Sequence, residues 1–184
     1  MSQKLIQIFT DGGAFKYKSI AVSVGLICID GKNALTFKKF IEGKNSNYSE
    51  IFAIKKAISR SYGMISQMDD DTDYCIEVYT DSLISINIIN SALLGEEINY
   101  VYDYLVKEIV ELINKIGEDK ISFFHIKSHV GTKWIKRNYY EFCIENSCNI
   151  SLNKFIFIYQ QNKKCDKIVK STYKQMKKIT TNKK

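Results

Sequence analysis

The sequence predicts an α/β fold in which three strands are followed by alternating helices and strands, and three observations carry that reading. An apolar run at Leu5–Thr10 delivers Asp11, Gly12 and Gly13 at its end. A second run, Tyr74–Thr80, ends in the same Thr-Asp pair, at Asp81. Between and beyond these runs the apolar spacing changes from strand-like alternation to the three-and-four spacing of helices. Two strands ending in the same acidic pair place carboxylates at one edge of a sheet, where strand ends form pockets. For each Asp taken alone, a turn former or helix cap competes with a metal ligand.

The elements follow in order. Phe15–Ser19 reads as a hairpin turn, Ile20–Ile29 as a second strand, Asp30-Gly31-Lys32-Asn33 as a turn and Ala34–Ile41 as a third strand, giving an antiparallel meander. Glu42–Ser49 is polar. From there Ile51, Ala53, Ile54, Ala57 and Ile58 follow helical spacing, with Ser49 as N-cap and Glu50 in the first turn. An acidic loop, Met68–Asp73, precedes the strand ending at Asp81. Asp81 or Ser82 caps a helix over Leu83–Leu94, and Gly95-Glu96-Glu97 breaks it. A longer amphipathic helix spans about Ile98–Ile116 and stops at Gly117. A fifth strand is expected at Ile121–Ile126, and a last helix from about Asn162 to Met176.

Composition narrows the function classes. At 184 residues and 45% hydrophobic content the chain can bury an ordinary core. No apolar run approaches the roughly 20 residues of a membrane span, and the N-terminus lacks a signal-peptide layout, so a cytoplasmic, intracellular location is expected. Five cysteines without a CxxC fit reduced thiols better than a disulfide framework. The net charge is +7, yet nine lysines against Asp166 lie from Asn162 onward, so that segment carries +8 and the remainder about −1. A basic end of this kind is either a solvated face or an electrostatic footprint for phosphates.

Five short segments now join into one pattern: Phe9-Thr10-Asp11-Gly12-Gly13, Asn45-Ser46-Asn47-Tyr48-Ser49-Glu50, Tyr79-Thr80-Asp81-Ser82, Lys127-Ser128-His129-Val130-Gly131 and Asn162-Lys163-Lys164-Cys165-Asp166. In this order they resemble the type 1 ribonuclease H family. The resemblance implies a mixed five-stranded sheet, three antiparallel strands then two parallel, flanked by helices. It implies an endoribonuclease that hydrolyses the RNA strand of RNA–DNA hybrids, leaving 5′-phosphate and 3′-hydroxyl ends. Asp11, Glu50, Asp81 and Asp166 would hold two Mg²⁺ ions about 4 Å apart, with Mn²⁺ able to substitute. His129 would assist proton transfer or product departure. Substrate contacts would come from Gly12, Gly13, Ser46, Asn47, Lys127 and Asn162, with 2′-hydroxyls recognised across the minor groove. A DNA nuclease or junction resolvase on the same fold is the rival enzyme, and a non-catalytic nucleic-acid-binding module the rival outside enzymes.

The chain departs from the family pattern in three places. Ala14-Phe15-Lys16-Tyr17-Lys18 replaces the usual turn after the first Asp. Only Gly95-Glu96-Glu97 separates the middle helices, leaving the Lys-rich last helix as the candidate for substrate grip. About 30 residues lie between Gly131 and Asn162. The expected organisation is one monomeric domain, 1–178, with an insertion at about 132–161 and a flexible basic tail at 179–184.

The insertion supplies Glu141 and Glu145 as rivals to Asp166. Its aromatic content argues for an ordered segment beside the active site, either a substrate clamp or an extension of the core. Within it Ile135–Cys148 reads as a short helix and Phe155–Tyr159 as a strand or buried segment. His129 is alternatively an ordinary loop residue, or a zinc ligand with Cys143, Cys148 and Cys165, although their spacing fits no standard finger.

Overall fold

The structure is a computed structural model that describes residues 3–15, 20–69, 71–127 and 134–181, with side chains through Met176. Five strands form one sheet: β1 (Lys4–Phe15), β2 (Ile20–Ile29), β3 (Lys32–Glu42), β4 (Tyr74–Thr80) and β5 (Ile121–His125). Their order is β3-β2-β1-β4-β5. The first three strands pair antiparallel, and β4 and β5 join parallel, as the resemblance implies. The helices are α1 (Ser46–Ile65), α2 (Leu83–Leu93), α3 (Tyr100–Ile116), α4 (Ile135–Glu145) and α5 (Leu152–Thr181). None of the described helices is long and apolar enough to cross a membrane.

Strand β1 is buried from Ile6 through Asp11 because both of its faces are covered. Ile6 and Ile8 join a core with Ile51, Ile54 and Ile58 of α1 and Val106, Ile109 and Ile113 of α3. Phe9, the next residue along the strand, faces the opposite core with Phe155 and Ile158 of α5 and Phe142 of α4. The central strand is thus clamped between two helical layers, which makes its buried stretch a rigid place for a functional group.

Three expectations need correction. Helix α1 begins at Ser46, not Ser49, and its N-cap is Asn45, whose side chain accepts from the Tyr48 N–H at 2.8 Å. Glu50 therefore lies in the second turn, and the Ser49 hydroxyl donates to the Ser46 carbonyl instead of capping. Phe155–Tyr159 is helical: α5 runs unbroken from Leu152, so Asn162 and Asp166 lie in mid-helix and do not open one. The same helix continues through Thr181, so part of the expected tail is helical. Helix α3 ends as expected at Gly117, whose φ of 105° is a conformation that favours glycine.

The segment after β5 is anchored by hydrogen bonds. Helix α4 ends in a Schellman motif: Cys148 N–H donates to the Cys143 carbonyl at 3.0 Å, Ser147 N–H to Ile144 at 3.2 Å, and Ser147 adopts φ of 47°. The C-cap residue Asn146 then pairs with the backbone of β5. Its Oδ1 accepts from the His125 N–H at 2.7 Å, and its Nδ2 donates to the His125 carbonyl at 2.9 Å.

Candidate active site

The Thr-Asp repeat acquires a geometric meaning in the sheet. Thr10 of β1 and Thr80 of β4 are the last partners in the parallel register, so Asp11, which continues β1 opposite Val24, stands level with Asp81 just past the end of β4. The backbone N–H of Ser82 donates to Thr80 Oγ1 at 3.2 Å, which fixes the turn carrying Asp81, and Ser82 caps α2.

Glu50 reaches the same point from α1, because Gly12 lets helix and strand approach closely. A Cβ on Gly12 would lie 2.6 Å from Ser49 Oγ and 2.7 Å from the Glu50 backbone nitrogen. The buried Ser23 hydroxyl donates to the Ser49 carbonyl at 2.7 Å, locking the helix onto β2. One oxygen from each of Asp11, Glu50 and Asp81 lies within 4.8 Å of the others. Among the described residues no other group of three or more metal-ligating side chains converges.

This concentration of charge costs free energy in the absence of a cation. Asp11 and Glu50 are only 7% and 8% exposed. Burial, followed by the neighbouring Asp81 and Asp166 carboxylates, pushes the Asp11 carboxyl from 3.8 up to about 7, against the Gly12 N–H and Lys170, which pull it down. Burial, then Asp11 and Asp81, raises Glu50 well above the ordinary carboxylate range. Glu50 Oε2 is buried with no hydrogen-bond partner. A buried acceptor of this kind costs about 1–3 kcal/mol unless something satisfies it. Hard carboxylate oxygens aimed at one point are the donors that Mg²⁺ prefers, so the residues present fit a divalent cation.

Asp166 stands outside this trio. It lies on α5, where the Cys165 thiol donates to the Phe9 carbonyl at 3.4 Å and ties the helix to β1 two residues before Asp11. Its carboxylate is bound by Lys170 at 2.8 Å, and its charge acts on Asp11. The rivals Glu141 and Glu145 are engaged elsewhere. Glu141 binds Arg137 at 2.8 Å and Lys127 at 3.2 Å, and Glu145 binds Lys127 at 2.5 Å and approaches His125 Nδ1 at 3.6 Å.

Lys127, expected to contact substrate, is thus held by the two α4 carboxylates. His129 lies outside the described residues. Of the other expected contacts, Ser46 and Asn47 occupy the first turn of α1, and Asn162 is buried with its Oδ1 unpartnered. Gly12 is filled by α1, and a Cβ on Gly13 would come 3.0 Å from Val169 Cγ1. The proposed zinc cysteines do not gather with other ligands among the described residues. The sequence reading missed Asn45, Ser23 and Asn146. Only Asn45 left a signal, as a capping residue type three positions before Tyr48.

A sheet in this order, with carboxylates converging beyond its two central strands, defines the ribonuclease H-like fold. The family model for RNase H matches residues 3–174, and the chain belongs to this family, as a ribonuclease H enzyme and hydrolase. No curated protein matches the sequence. Among solved structures, LC11-RNase H1 in complex with an RNA/DNA hybrid is similar with a TM-score of 0.54 at 19% identity, over 67% of this chain and 86% of that one. RNase H1 from the halophilic archaeon Halobacterium salinarum gives 0.52 at 18%, over 67% and 86%. The prototype foamy virus protease-reverse transcriptase gives 0.54 at 16%, over 82% of this chain and 22% of that one. At these identities the likeness concerns the fold.

Proposed function

We propose that the protein is a Mg²⁺-dependent endoribonuclease that cuts the RNA strand of RNA–DNA hybrids, leaving 5′-phosphate and 3′-hydroxyl ends. One observation carries the reading: three carboxylates from β1, α1 and the β4 end meet within 4.8 Å, with a buried Glu50 oxygen lacking any partner. A protein that only bound nucleic acid would gain nothing from packing such charges toward phosphate. A cluster that needs a cation has a role in hydrolysis.

Asp11, Glu50, Asp81 and Asp166 are the residues that would hold Mg²⁺, or Mn²⁺ in its place. When bound, two such ions supply an activated water and charge stabilisation at the leaving 3′ oxygen. Asp11 would contribute from within β1, Glu50 from α1 and Asp81 from the turn after β4. Asp166, with Lys170 on its carboxylate, adds a more accessible oxygen at the rim of the site. His129 would move a proton as the product departs. Gly13, Ser46 and Asn47 lie on the elements bordering the carboxylates and are the proposed sugar and phosphate contacts, together with Gly12, Lys127 and Asn162.

Strand-labelled RNA–DNA, RNA–RNA and DNA–DNA duplexes incubated with and without Mg²⁺ test the reading. Internal cleavage confined to the RNA of the hybrid is expected. Cutting of DNA duplexes or junctions would favour the rival nuclease, and no cleavage of any duplex would leave a binding module.

A further inference from the structure

Strand β1 and helix α5 run side by side in the same direction. Successive contacts tie them together: Phe9 to Cys165, Gly13 to Val169, and Phe15 to Tyr173, whose rings stack at 4.6 Å. Past the carboxylates they leave an open groove of about 290 Å³, lined by Gly13, Phe15, Val169, Lys170, Tyr173 and Lys174. Its floor exists because Gly13 has no side chain, since a Cβ there would press on Val169. Tyr173 is 40% exposed, so part of its ring faces solvent.

The dimensions match a nucleic-acid strand. Gly13 and Phe15 lie two and four residues beyond Asp11 on the same strand face, about 7 and 13 Å at 3.3 Å per residue. Lys170 and Lys174 lie one and two turns beyond Asp166, about 6 and 12 Å at 1.5 Å per residue. Both walls therefore advance together from the carboxylates for roughly 13 Å. A strand carries one phosphate per ~3.4 Å of helix rise, so a few nucleotides fill this length. The groove combines an aromatic face with ammonium groups, the pairing used on bases or sugars and phosphates.

We propose that this groove is a subsite for the RNA strand on one side of the scissile phosphate, with Lys174 taking a phosphate and Tyr173 lying against a sugar or base, while Lys170 bridges the groove to Asp166. This deepens the hybrid-cleavage reading and rests on it. The cut strand is the one chosen because Lys170 of the groove wall adjoins Asp166, one of the carboxylates that would face its scissile phosphate.

The test uses the full chain carrying Asp11→Asn, and measures hybrid binding by fluorescence anisotropy across salt concentrations, with and without Lys174→Gln. Lys174 is exposed, and a melting curve checks that the variant is folded. Loss of one phosphate contact is expected to weaken binding several-fold and to lower the salt slope by about 1. Neutral methylphosphonate linkages are then placed one at a time along each strand. A linkage within a few nucleotides of the cut in the RNA strand should weaken the parent and have no further effect on Lys174→Gln. An unchanged salt slope, additive losses at every RNA linkage, or sensitivity confined to the DNA strand would overturn the subsite. The two failures stay distinct, because the protein without substitutions is first assayed for cleavage. Absent hybrid cleavage ends the functional reading, whereas intact cleavage with an unchanged slope ends only the groove.

Discussion

Replacing Asp11 by Asn should make the metal-free protein more stable while abolishing cleavage. The Asp11 carboxyl is raised from 3.8 to about 7, first by burial and then by the Asp81 and Asp166 charges. The folded state thus holds the proton more tightly than the unfolded state. Its stabilising effect is fully present below the unfolded value and is lost as pH rises through the folded one. Each factor of ten in acidity corresponds to 1.36 kcal/mol, so ionising Asp11 in the folded protein costs roughly 4 kcal/mol above neutrality. Asn preserves the shape and avoids that cost. At pH 8 in chelator, Asp11→Asn is expected to gain about 2–4 kcal/mol, or very roughly 5–15 °C in Tm at 2–4 °C per kcal/mol for a chain of this size. At pH 3–4 the two proteins should melt together. Adding Mg²⁺ should raise the Tm of the parent and narrow the gap. Thermal melts at both pH values, with and without Mg²⁺, decide the matter. Equal melting at pH 8 without metal, or full activity in the variant, would refute the reasoning.

Three further outcomes follow from named contacts. Gly12→Ala places a methyl 2.6–2.8 Å from Ser49 and Glu50 atoms, so chemical denaturation should show a loss of about 1–3 kcal/mol and kcat should fall as Glu50 is displaced. Truncation after Met176 removes four of the basic-end lysines and should weaken hybrid binding and flatten its salt dependence at nearly unchanged kcat, whereas an unaltered slope would make those lysines merely solvating. Trp134, just before α4, and Tyr140 on it are 60% and 64% exposed while Phe142 is buried, so Trp134→Ala or Arg137→Ala should raise KM without lowering Tm. Phe142→Ala should instead cost about 3–5 kcal/mol of stability. Unaltered KM in the first pair would make α4 an extension of the core alone.

How much was legible in the chain depended on whether a segment's own pattern matched its partner's. The Thr-Asp repeat foretold adjacent strand ends because parallel pairing puts Thr10 opposite Thr80. The meander was legible from short turns, and α3 from a broad apolar face ending at Gly117. The start of α1 was hidden because Ser46–Ser49 offers no apolar period, although Asn45 was there to cap it. Phe155–Tyr159 misled for a different reason. Its β-branched and aromatic content reads as strand, yet only Phe155, Ile158 and Tyr159 are buried, at helical spacing, while Ile156 and Phe157 are partly exposed. The three converging carboxylates could be named from the resemblance. The offset of Asp166, and the capture of Lys127 by α4, required the packing of a helix whose charges alone gave no address.

The amide of Asn146 on β5 has a meaning apart from catalysis. An outermost strand presents unpaired N–H and carbonyl groups, a template on which a strand from another chain can register. At His125 both groups are already taken by one side chain that imitates a neighbouring strand. On the opposite border, β3 carries Lys38 and Lys39 with their charges exposed. The sheet thus ends in a plugged socket on one side and like-charge repulsion on the other, so copies of the protein crowded along one nucleic acid have no free β-edge at either of these points through which to zip together.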